Sequence, residues 1–193
     1  MHYHTLMIFS AVLFLAAQIY AQQNPTPHQK VLTPEQKVCQ QEHQSWLAHH
    51  QQLQSQAKGI FDQEIAQEKA GDCTGASSNN QYIAGFGKLA DAAEESLKSY
   101  ETTIHELLIR APQMPGAPTA GPAGPALTSP QLIAEFDSVE NTWRQYREIA
   151  CSAAFHQLDG GTGGPSFRAE CELRLTRNHM RELDLIYANV LHL

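Results

Sequence analysis

Positive charge is scarce in this sequence. Thirteen Lys and Arg stand against 20 Asp and Glu in 193 residues, a formal net charge of −7. A nucleic-acid binder needs a basic surface to neutralise phosphates, so that class is not expected. Cysteine is sparse too. Cys39, Cys73, Cys151 and Cys171 include no C-x-x-C or C-x-H grouping, which leaves a zinc site poorly supported. No segment sustains the apolar–polar alternation of a strand, so no sheet is expected. The glycine-rich "GGTGGPS" (Gly160–Ser166) lacks G-x-x-x-x-G-K-[ST] and has no strand before it, which argues against a phosphate loop. A helix opening at Pro165 could still attract an anion through its free N–H groups.

Ten histidines invite a search for metal ligands or catalysis. The densest group, His43, His49 and His50, has no H-E-x-x-H spacing and is expected to be solvated on a Gln-rich helix. No metal or other cofactor is assigned. His156 lies between Cys151 and Cys171, but a cysteine nucleophile would require a reduced thiol. No Ser/His/Asp set or carboxylate pair separates itself from a solvated face. The chain is therefore read as non-enzymatic, with no catalytic residue.

What is present begins with an apolar run, "LMIFSAVLFLAA" (Leu6–Ala17), too short for a helix across a bilayer core of ~30 Å. It leads to Ala21, a small residue suited to cleavage, so residues 1–21 read as a signal peptide. The start, "MHYHT", carries no Lys or Arg, and a membrane anchor is the competing reading. Export, to the periplasm or outside the cell as a soluble protein, is the expectation, with no stable membrane insertion after cleavage. An exported chain with an even number of cysteines is expected to form disulfides. Four cysteines allow three pairings. Cys39–Cys73 with Cys151–Cys171 suits two helical hairpins.

The fold class is all-α, with about four helices in two antiparallel hairpins. Residues 22–32 read as a disordered leader. Thr33-Pro34-Glu35-Gln36 then opens a helix with a capping box. Val38, Trp46, Leu53, Ile60 and Ile65 give it a narrow apolar stripe, and Ala70–Asn80 ends it. In the second helix Tyr82, Phe86, Leu89, Ala93, Leu97, Tyr100, Ile104 and Leu107 share one face. These helices form a hairpin over 33–110. Residues 111–130 hold six Pro and three Gly and read as a flexible linker.

The second hairpin covers 131–193. Ser129-Pro130 opens its first helix, which buries Leu132, Phe136, Val139, Trp143, Tyr146 and Ala150. Gly164-Pro165-Ser166 opens the last, with Phe167, Cys171, Leu175, Leu183, Ile186 and Val190 inward. A Cys151–Cys171 bridge would pin the turn between them, with Gly160 and Gly161 supplying left-handed backbone. Trp143 and Tyr146 would fill the interface, and Arg147 would reach carboxylates or loop carbonyls. All six Lys precede the linker and six of seven Arg follow it. Arg forks onto carboxylates where Lys does not, so the split suggests ordered ion pairs in the second hairpin, with a merely solvated face as the alternative.

Trp143, Tyr146-Arg147-Glu148, Cys151, Gly160-Gly161-Thr162, Cys171 and Leu175-Thr176-Arg177 follow one another in a pattern. It resembles that of the lysozyme-inhibitor LprI-like exported domains, also described as DUF1311. The resemblance covers about 72–187, with Asp72-Cys73 and Lys88–Leu108 similar to the family's upstream part. The chain departs from the pattern in having no cysteine in "NNQYIAG", in His179 where Arg is usual, and in its longer linker. Cys39 would supply the missing disulfide partner. The resemblance implies protein binding, with a c-type lysozyme or another envelope protein as partner. An inhibitor would push a loop into the glycosidase cleft against its two catalytic carboxylates. Gly160, Gly161, Thr162, Ser166 and Arg168 are the candidates, with Thr162 and Ser166 as donors and Arg168 as a carboxylate partner. A turn that only reverses the chain is the competing reading of these residues. The alternative function is a structural or adaptor module of the envelope, docking through the Gln/His-rich first helix.

Overall fold

The computed structural model describes residues 33–71, 78–110, 120–121, 124–125, 127–157 and 161–192. The signal segment and the leader lie outside these residues, as do most of the linker, Asp72-Cys73 and Gly160. The fold is all-α. Helix α1 spans Pro34–Ala70, α2 Asn79–Arg110, α3 Ser129–His156, α4 Gly164–Ile186 and α5 Ala188–Leu191. Within the linker, two-residue strands β1 (Ala120–Gly121) and β2 (Gly124–Pro125) pair antiparallel. No helix among the described residues is long and apolar enough to cross a membrane.

The chain divides into two compact units, Met1–Gln41 and Glu42–Leu193. In the first, the expected capping box forms. The Thr33 N–H donates to Gln36 Oε1 at 3.0 Å and the Gln36 N–H to Thr33 Oγ1 at 3.2 Å. Cys39 is an exposed free thiol, so the expected bridge to Cys73 is not formed. Cys73 lies outside the described residues.

In the second unit the helices of both expected hairpins share one core. Leu53 and Ala57 of α1 meet Leu97, Tyr100, Ile104, Leu107 and Leu108 of α2, Phe136 and Trp143 of α3, and Met180 and Leu183 of α4. α2 packs along both α3 and α4, and α3 and α4 pack along each other. The apolar face predicted for α2 is the one buried, except at Tyr82, which is exposed. Gly71, with φ 90°, closes α1 in the left-handed conformation that a side chain disfavours. At the start of α3 the cap falls one residue earlier than expected. The Thr128 N–H donates to Gln131 Oε1 at 2.9 Å, and the Ser129 hydroxyl donates to the Ile109 carbonyl, tying α3 to the end of α2.

α4 departs most from expectation. Its buried residues are Gly164 and Ser166 at the start, then Leu173, Thr176, Arg177, His179, Met180 and Leu183, while Phe167 and Ile186 are exposed. The helix is rotated relative to its apolar stripe because its polar residues find charged partners inside the bundle. Tyr146 likewise points outward, more than half exposed, so of the two aromatics assigned to the α3–α4 interface Trp143 is the one buried.

Candidate functional site

Two places in the bundle gather the residues singled out above. The first is the turn between α3 and α4. Cys151 and Cys171 are joined across it, the bridge expected from the sequence. Gly160, one of the two glycines assigned left-handed backbone, lies outside the described residues. The close approach is at Gly164, where an added Cβ would lie 3.0 Å from Phe155 Cε2 and 3.2 Å from its carbonyl oxygen. A glycine there lets α4 start directly against the last turn of α3.

Gly161 and Thr162 are exposed. The Gly161 carbonyl accepts from the Gly164 N–H at 2.9 Å, and the Thr162 carbonyl from Asn79 Nδ2 at 2.8 Å. The start of α2 thus holds the tip of the turn. Ser166 does not present its hydroxyl outward. It is buried and donates to the Gly163 carbonyl at 2.8 Å. Arg168 already holds carboxylates within the chain. Its Nη2 meets Glu148 Oε1 and Oε2 at 3.0 and 2.9 Å, and its Nε meets Glu172 at 2.8 Å. These pairs raise the Arg168 pKa. Of the five loop candidates, Gly161 and Thr162 are free to face a partner, Ser166 and Arg168 brace the turn, and Gly160 lies outside the described residues.

The second place is a polar layer inside the bundle, built largely from the patterned residues around Trp143. The Trp143 ring stacks on His179 at 4.0 Å and 7°, and the Arg147 guanidinium lies 4.7 Å from its centroid. Arg147 bonds Glu94 of α2 and donates to Thr176 Oγ1 of α4 at 3.0 Å. Arg144 reaches Glu94 at 3.2 Å and Glu101 at 2.5 Å, also on α2. Next in sequence to Thr176, Arg177 Nε meets Glu64 of α1 at 2.8 Å, both side chains almost fully buried. Arg181 pairs with Glu68. Five of the six arginines after the linker are therefore ion-paired, and four of those five reach carboxylates on α1 or α2. Leu175, beside Thr176, is half-buried.

At the centre of this layer Glu101, Glu140 and His179 converge. His179 Nε2 lies 3.0 Å from Glu140 Oε1, and its Nδ1 is 3.4 Å from Glu182 Oε2. Glu101 Oε1 and Glu140 Oε2 are buried without a hydrogen-bond donor. Burial, then the neighbouring Glu140 carboxylate, pushes the Glu101 carboxyl up to about 8. Burial acts on Glu140 as well, but the hydrogen bond from His179 and the one a protonated Glu101 gives it, with the charges of His179 and Arg144, hold it below its ordinary value. A proton retained on Glu101 can bridge the two carboxyls.

Sequence reasoning passed over Glu94, Glu101 and Glu140. Their signal was helical spacing beside an apolar stripe: Glu94 and Glu101 seven apart on α2, and Glu140, Arg144 and Arg147 in steps of four and three on α3. His50, expected in solvent, is buried. It stacks on Trp46 at 4.7 Å, and burial, with Arg110 nearby, lowers its pKa.

The disulfide, the turn it pins and the arginines behind it are the parts of the molecule where the sequence pattern is densest. A family model described as lysozyme inhibitor LprI matches residues 73–183, from Cys73 to Leu183 on α4. No curated protein and no solved structure matches the chain. With more than half of its length matched, this chain belongs to the lysozyme inhibitor LprI family.

Proposed function

We propose that this protein is an exported, non-enzymatic binder of a lysozyme-type glycosidase, and that the α3–α4 turn is its contact. Family membership carries this reading. The geometry supports it in two ways. Gly161 and Thr162 stand exposed on a turn braced by the Cys151–Cys171 bridge, by Asn79 and by the Arg168 pairs, so little conformational entropy is lost on docking. Such a tip offers the Thr162 hydroxyl and backbone amides to the two carboxylates of a glycosidase cleft. Arg168 acts here as a brace, because Glu148 and Glu172 already occupy its guanidinium.

Charge favours the same partner. A net charge of −7 draws the chain to a cationic lysozyme and makes association sensitive to salt. The test is a titration of the purified protein into a c-type lysozyme assay on bacterial cell walls. Thr162→Glu is the contact variant: it sets a carboxylate against those of the cleft and leaves the core untouched. Saturable inhibition that weakens with salt and is lost in Thr162→Glu supports the reading. Inhibition unchanged in that variant removes the turn from the interface. No inhibition at tens of micromolar, weaker than about 6 kcal/mol of binding, rejects the function itself.

A further inference from the structure

We propose that Glu101, Glu140 and His179 form a binding site for a divalent first-row transition cation that ties α2, α3 and α4 together. One ligand comes from each helix, and one donor atom of each lies within 4.8 Å of the other two, with all three groups withdrawn from solvent. Tetrahedral zinc with bonds of ~2.0–2.1 Å separates its ligand atoms by about 3.3 Å, so small rotamer adjustments close the site. Glu140, its side chain only 8% exposed, meets His179 through Oε1 and leaves Oε2 buried without a donor, as Glu101 leaves Oε1. Two buried carboxylate oxygens with open lone pairs beside an imidazole nitrogen are a donor set, whereas an ordinary buried ion pair would have closed them.

The surroundings hold each ligand in place. Arg144 occupies Glu101 Oε2 and leaves Oε1 unpaired, while Glu94 offsets its charge. The Trp143 ring fixes the plane of His179. His179 Nδ1 faces the Glu182 carboxylate, the outer partner that commonly orients a metal-bound histidine. A nitrogen in the set favours zinc, cobalt or nickel over calcium and magnesium, which take oxygen ligands. Access exists on two sides. Glu101 lines a surface hollow of about 280 Å³, and His179 lines another of about 420 Å³.

A proton shared by the two carboxyls would satisfy the same lone pairs, and the experiment separates the two. Chelator-treated protein is titrated with Co²⁺, followed by visible absorption, and with Zn²⁺ and Ca²⁺ by calorimetry. The expected result is one Co²⁺ per chain with its d–d bands, displacement by Zn²⁺, and no Ca²⁺ binding. Glu140→Gln and His179→Gln lose the bands with helicity unchanged. Glu182→Gln, at an exposed side chain, weakens Zn²⁺ binding by about tenfold or more. A His43→Ala/His49→Ala variant keeps the site. Absence of the bands in the wild-type protein overturns the proposal in favour of the proton. Bands that survive His179→Gln overturn it in favour of the other histidines. If the core variants fail to fold, Glu182→Gln decides, and unchanged affinity there rejects the site.

Discussion

Glu64 on α1 and Arg177 on α4 keep 2% and 3% of their side chains exposed and meet at 2.8 Å. A pair so deeply withdrawn is held together by the penalty of separating it, since either charge alone would stay desolvated. Glu64→Ala should therefore destabilise the protein by about 3–5 kcal/mol. The double variant Glu64→Leu/Arg177→Met should lie closer to wild type than either single one. Urea denaturation of the three variants measures the coupling, and additive losses would show that the pair does not act as a unit. Glu94 provides a test in pH. Burial works to raise its carboxyl, but hydrogen bonds and charge from Arg147 and Arg144 prevail and hold it below its ordinary value. Its contribution is thus complete above the ordinary glutamate pKa and is lost as pH falls through the lowered folded value. Glu94→Gln should be less stable than wild type at neutral pH and should decline less steeply on acidification. A series of denaturation curves from about pH 7 to pH 3 checks both.

Among the elements, the α3–α4 pair depends on its covalent pin. The Cys151–Cys171 bridge spans 20 residues of chain, and in the loop-entropy picture such a closure contributes about 3 kcal/mol. Replacing both cysteines by alanine should lower stability by that order, and reductant should have little further effect on the variant. Gly164→Ala should cost about 1–3 kcal/mol by crowding Phe155, with Gly59→Ala, where an added Cβ meets nothing within 4 Å, neutral or mildly stabilising as the comparison. The elements also show what could be read in advance. The buried face of α2 was legible because Phe86, Ala93, Leu97, Ile104 and Leu107 are apolar and evenly stepped. That of α4 was not, because it buries Thr176, Arg177 and His179, whose partners lie on α1 and α3 and in no neighbouring stretch of sequence. The disulfide and the turn were visible from residue spacing. The inward hydroxyl of Ser166 and the committed guanidinium of Arg168 were not, since each depends on a partner that only the folded turn supplies.

For the molecule as a whole, the family match starts at residue 73, yet α1 contributes Leu53 and Ala57 to the core and Glu64 and Glu68 to the arginines of α4. A fragment beginning at residue 73 would uncover Leu97 and Tyr100 and leave two arginines without these carboxylates. It should melt at a lower temperature than the full chain and bind a hydrophobic dye. A fragment as stable as the full chain would show that α1 is dispensable to the core. The same scale governs binding, because the acidic balance belongs to the whole chain while the contact is one turn. Salt should slow association, with its effect on dissociation much smaller. The measurement that tests the central claim most directly is inhibition of a c-type lysozyme by the oxidised protein and by Thr162→Glu, side by side at low and high salt. The account predicts saturable inhibition by the wild-type chain, weaker at high salt and lost in the still-folded variant. Equal inhibition by both proteins, or none by either, would contradict it.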